Sequence, residues 1–206
     1  MRSIKRKNHL KQRLYKPNAE IVAIKKIDLE GVSLTNFEET ETVIQSIDWE
    51  IRFLESCHHS NIVNFHESFV HQMKLFIVME YCWGGSLKDI IAKWGPLPEI
   101  YIKIILWELL SGLKYLHETG WIHWDIKPAN ILLTDKGEIK IADFGVSAEL
   151  SRTLTNRDTL VGTPNWMAPE MLDGKKHNQQ VDIWALGITA INLATGKVPY
   201  DNLKPF

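Results

Sequence analysis

Cysteine is scarce in this 206-residue sequence, glycine is absent from its first 30 positions, long apolar runs are missing, and neither sign of charge dominates. Each shortage removes a class of protein. The two cysteines, Cys57 and Cys82, lie far apart without the spacing of a zinc site, which excludes a disulfide framework and points to a reducing compartment. The longest apolar stretch, IYIKIILWELLSGLKYLH, is interrupted by Lys103, Glu108 and Lys114 and is no candidate for crossing a bilayer. With 24 Lys+Arg against 25 Asp+Glu, overall charge gives no reason to expect nucleic acid or an acidic membrane as partner. Internal repeats, low-complexity linkers and the apolar core of a secretory signal are also lacking. The expected location is cytoplasmic.

What is present is 45% hydrophobic residues, enough for the core of one large domain or two small lobes. The chain opens on a basic segment, residues 1–19, with Arg2, Lys5, Arg6, Lys7, Lys11, Arg13 and Lys16 all preceding the first acidic residue, Glu20. It reads as a solvated terminus in preference to a nuclear-import or phosphate-binding patch. From Glu20, EIVAIKKIDL alternates and is rich in β-branched residues, which predicts a strand ending near Asp28. Ile44, Ile47, Ile51 and Leu54 then form one stripe of a helix. NIVNFHESFV and KLFIVMEYC predict two strands joined through HQMK as an antiparallel pair. After Gly84-Gly85 the pattern turns helical: SLKDIIAKW, a long helix stopped by Gly120, and VDIWALGITAINLAT closing on Gly196, with short strands NILLT and EIKIA about the turn DKG. The fold class expected is α+β and two-lobed, a small antiparallel sheet with one helix over residues 20–82 and a mainly helical part over 83–206.

Polar residues stand where these apolar elements end. VAIK places Lys25 on a strand, IDWEIRFL places Glu50 on the following helix, HWDIKPAN supplies Asp125, Lys127 and Asn130, and IADFG supplies Asp143. Taken singly, each is weak, since a strand lysine is usually a solvated edge residue. Their order, element types and the five-residue spacing from Asp125 to Asn130 make the set specific.

With VAIK, the helix glutamate, the H-x-D-x-K-x-x-N loop, DFG and MAPE in that order, the sequence resembles the protein kinase family over nearly all its length from Glu20. VAIKKIDLE, EYCWGGSLKDII and VGTPNWMAPEML resemble the germinal-centre branch of the sterile-twenty-like kinases. The resemblance implies a serine/threonine kinase acting in signal transduction with ATP and Mg2+, on protein substrates, with an upstream kinase or a scaffold as further partner. It implies that Lys25 holds the α/β-phosphates and is held by Glu50, that Asn130 and Asp143 ligate magnesium, that Asp125 accepts the substrate hydroxyl's proton, and that Lys127 compensates charge. Ala23 and Leu132 are implied to sandwich adenine, Met79 to stand as gatekeeper, and Glu80 and Cys82 to offer backbone hydrogen bonds to its edge. Leu54, Phe65, His123 and Phe144 match the family's apolar column, and Asp182 its buried brace for the catalytic loop.

Three departures qualify the likeness. Trp124 replaces an arginine that in related kinases pairs with a phosphorylated residue, here Thr159 upstream of Thr163, so control through Thr159 is expected to be weak while the chemistry survives. A glycine-rich loop does not precede VAIK, and the sequence stops at YDNLKPF, so the kinase pattern is expected to be incomplete at both ends. The alternative reading is a pseudokinase-like binding or scaffold module, or an inactive fragment.

Overall fold

The computed structural model describes residues 9–15, 20–29, 48, 51–144, 163–173 and 178–199. The chain divides into two compact units, residues 1–58 with 63–82, and residues 59–62 with 83–206.

The first unit is built on a four-stranded antiparallel sheet in the order β1-β2-β4-β3, with β1 His9–Tyr15, β2 Glu20–Asp28, β3 Phe65–His71 and β4 Lys74–Glu80. Sequence reading treats residues 1–19 as a solvated terminus, whereas residues 9–15 pair along β2 from His9↔Lys26 to Tyr15↔Glu20. As an edge strand β1 leaves one side of its backbone unpaired, a place that tolerates lysine and arginine better than an inner strand does, which is why its basic composition disguised it. Strand β2 lies between β1 and β4, and its period of two puts Ala23, Lys25 and Ile27 on one buried face. Their partners across β4 are Met79, Ile77 and Leu75. The hairpin joining β3 to β4 turns on Gln72 and Met73, both with positive φ (48° and 51°), the geometry whose twist matches the flanking strands. Neither is glycine, which costs on the order of 1 kcal/mol at each position. Residues 51–56 form a helix, α1, whose Phe53 and Leu54 are buried. Burial pushes the thiol of Cys57, just beyond it, up to about 12, consistent with a packing residue.

In the second unit, α2 (Leu87–Trp94) starts at a capping box in which Asp89 N–H donates to Ser86 Oγ at 3.2 Å and Asp89 Oδ2 accepts from Ser86 N–H at 3.2 Å. Helix α3 (Glu99–Glu118) buries Leu109, Leu113 and Leu116 and packs on β7 (Ile139–Ile141) and on α5 (Gln180–Thr195). Contact with β7 is close because of Gly112, where a Cβ would come within 2.8 Å of Ile141 Cδ1. Strands β5 (Gly85–Ser86), β6 (Ile131–Leu133) and β7 form a small antiparallel sheet, and a short helix α4 (Pro169–Leu172) precedes α5. Helix α5 ends at Gly196 in the left-handed conformation, as the sequence suggests.

The expected strand NIVNFHESFV begins only at Phe65. Asn61 is occupied elsewhere: its Nδ2 donates to Ile139 O at 3.1 Å and Glu108 Oε2 at 3.0 Å, while its carbonyl accepts from Ile141 N–H at 2.8 Å. Glu108 Oε2 also accepts from Ile139 N–H at 2.8 Å, so a charge that interrupts the apolar run of α3 serves as an internal clamp on β7.

Candidate active site

The second unit gathers the residues of the H-x-D-x-K-x-x-N stretch around one carboxylate. Asp125, buried, takes hydrogen bonds from Thr163 Oγ1 on Oδ1 at 2.8 Å, and from Lys127 Nζ at 2.6 Å and Asn130 Nδ2 at 2.9 Å on Oδ2. Lys127 Nζ also donates to Thr163 Oγ1 at 2.6 Å, and Asn130 Nδ2 to the Asp125 carbonyl at 2.8 Å. A carboxylate has about four lone-pair sites, so three donors leave it room for one more proton. Asn130 spends its amide nitrogen on Asp125, which leaves Oδ1 as the atom able to face a cation.

The loop has this shape because its backbone is held from beneath. Asp182, fully buried in the first turn of α5, accepts from His123 N–H at 2.9 Å, Trp124 N–H at 2.8 Å and His117 Nε2 at 2.8 Å. Trp124 adopts φ +68°, uncommon for a bulky residue. Such a conformation costs on the order of 1–3 kcal/mol and persists where its surroundings over-determine it; the Asp182 clamp supplies that constraint. His123 is similarly committed. Its Nδ1 accepts from Asp125 N–H at 3.2 Å, which assigns the proton to Nε2, and that nitrogen donates to Ala142 O at 3.1 Å. The ring meets Phe144 edge-on at 4.9 Å.

Asp143 is joined to the same group through the backbone, since Ala142 N–H donates to Asn130 O at 2.9 Å. It has φ +63° and an exposed side chain. Asn130 and Asp143 thus supply one amide and one carboxylate oxygen, hard donors suited to magnesium, which fills its shell with phosphate oxygens and water. Among the described residues, no group of three or more His, Cys, Asp or Glu side chains could hold a metal by itself. Leu132 lies in β6 opposite Ser86 and Lys140.

In the first unit, Lys25 is 6% exposed on an inner strand, unlike the solvated edge lysine that composition alone favours. Ala23 stands opposite Met79, the residue expected by resemblance to be the gatekeeper. Glu80 N–H donates to Asn64 O at 2.9 Å and its Oε2 accepts from Asn64 N–H at 3.1 Å, while Cys82 is buried at the end of the unit. Glu50 and Thr159 lie outside the described residues. His117 was missed in the sequence; its only signal is a histidine in the last turn of the helix that precedes the H-x-D-x-K-x-x-N stretch.

The protein kinase domain family matches residues 10–205, which contain every one of these groups. The chain belongs to that family. Among curated relatives, this kinase domain is 47% identical over 189 residues to human mitogen-activated protein kinase kinase kinase kinase 3, covering 90% of this chain and 20% of that protein. It is 45% identical over 188 residues to serine/threonine-protein kinase dst1 of Dictyostelium discoideum, covering 91% and 24%. With serine/threonine-protein kinase cst-1 of Caenorhabditis briggsae it shares 40% over 193 residues, covering 93% and 37%. Such relatives are kinases of the sterile-twenty and germinal-centre type. The chain therefore spans between a fifth and about two fifths of the length of these relatives. Among the described residues, no helix is long and apolar enough to cross a membrane.

Proposed function

We propose that this chain is an ATP-dependent protein serine/threonine kinase domain, with residues 20–82, joined by the edge strand 9–15, as its nucleotide-side lobe and 83–206 as its catalytic and substrate side. The observation that carries the reading is the closed set of bonds among Asp125, Lys127, Asn130 and Thr163. A lone aspartate beside a lysine is an ordinary surface pair. Here the carboxylate is desolvated, oriented by three donors and left with one acceptor site, which suits a base that takes a proton from an alcohol.

Asp125 receives the proton of a serine or threonine hydroxyl as that oxygen attacks the γ-phosphorus and the bond to the β-phosphate oxygen breaks. Lys127, within 2.6 Å of both Asp125 and Thr163, places its ammonium where charge builds on the transferred group. Asn130 and Asp143 would hold the magnesium ions, which neutralise phosphate charge when bound. Lys25 would pair with the α/β-phosphates and Glu50 with Lys25; Ala23, Met79 and Leu132 would line adenine, with Glu80 and Cys82 offering backbone bonds. Protein substrates are the partners this reading requires, with an upstream kinase or scaffold as a further one and the cytoplasm as the compartment.

The deciding experiment is transfer of labelled phosphate from ATP and magnesium to a generic basic protein, with Lys25→Met and Asp143→Ala beside the wild type. Signal in the wild type that both substitutions abolish is expected; signal surviving both would belong to a contaminant and end the proposal. Thr159 is the second test. With tryptophan in place of an arginine fork, Thr159→Ala and Thr159→Glu are expected to keep activity within about threefold of wild type, because a neutral indole donor gains little from a new charge at position 159. A large difference between the two variants would restore Thr159 as a switch.

A further inference from the structure

Trp124 and Asp125 are adjacent, and both touch the segment running from Thr163 to Met171. Asp125 does so through the Thr163 hydroxyl. Trp124 does so through its indole, 6% exposed and clustered with Ala168 and with Val181 of α5, with Ile122 and Met171 packed against the group. The segment itself carries little regular structure. It consists of a 3-10 turn, Pro164–Trp166, and the four residues of α4, and neither has a side-chain cap. Local hydrogen bonds alone would hold so short a piece weakly.

We propose that Trp124 is a positioning residue: its buried indole tethers the Thr163–Met171 segment to the catalytic loop by apolar contact, fixing where the protein substrate's acceptor residue meets Asp125. The backbone at Trp124 is left-handed, and the Asp182 carboxylate holds it by accepting its N–H. Apolar burial is not screened by salt and needs no modification of the chain, so the tether is permanent. The proposal rests on the kinase reading for its consequence, but the contact can be tested without it.

Amide hydrogen exchange on the full chain compares wild type with Trp124→Phe and Trp124→Ala. In the alanine variant the amides of Met167 and Met171, bonded to Pro164 O and Ala168 O, are expected to exchange at least about tenfold faster, while those of Gly112 and Leu113 in α3 keep their wild-type rates. Phenylalanine, which retains a buried ring, is expected to recover most of the protection. In the transfer assay the KM for the protein substrate rises by about tenfold in Trp124→Ala with the KM for ATP unchanged, and Trp124→Phe again recovers most of it. Unchanged exchange at Met167 and Met171 would overturn the proposal. So would acceleration by one common factor through α3 as well, which would make Trp124 a general core residue. If the wild type transfers no phosphate, the kinase reading falls and the exchange contrast still decides the tether.

Discussion

Asp125→Asn is expected to lower kcat for phosphoryl transfer by about two to four orders of magnitude while leaving the KM for ATP nearly unchanged. Two losses combine. The amide cannot take the hydroxyl proton, and its NH2 group must face at least one of the donors that now converge on the carboxylate, Thr163 Oγ1, Lys127 Nζ or Asn130 Nδ2. The last of these matters beyond the base, because Asn130 is oriented by that bond and by the Asp125 carbonyl. Steady-state kinetics with ATP and with protein substrate varied separately checks this. Retention of a tenth or more of wild-type kcat would show that Asp125 is not the proton acceptor.

Asp182→Asn is expected to cost about 3–5 kcal/mol of stability, read as a lower midpoint of urea unfolding, because it removes one partner from a fully buried charged network. Asparagine keeps the size of the side chain but offers one acceptor oxygen to three donors, the amides of His123 and Trp124 and the His117 ring. Its nitrogen would confront at least one N–H directly. The strained backbone at Trp124 then loses its restraint, so activity should fall together with stability. A midpoint within experimental error of wild type would mean that the loop is held by something other than this carboxylate.

These two aspartates differ in how far the sequence announces them. Asp125 sits in a spaced motif whose other members, Lys127 and Asn130, are near in the chain, and their hydrogen bonds span two and five residues. Asp182 was marked by resemblance as a buried brace, while its own neighbours show only a polar residue at the start of an apolar helix. That it needs donors follows from burial; that two donors are backbone amides 58 and 59 residues away does not. His117 had no visible role for the same reason. Thr163 entered the sequence reading as a landmark for Thr159, yet its hydroxyl proves to be part of the carboxylate's own hydrogen-bond set.

Local pattern alone determined the period-two strand that turns Lys25 to the same face as Ala23 and Ile27 and the glycine that ends α5. These are short-range matters, settled by side-chain alternation, backbone freedom and residue chemistry within a few positions. Tertiary structure alone decided that a basic stretch becomes the edge strand β1, that Glu108 clamps β7 rather than facing solvent, and that Trp124 becomes a buried peg beside Ala168 and Val181. The physical reason is that pairing, desolvation and burial depend on what the rest of the chain brings alongside a residue, and no window of neighbouring letters contains that partner.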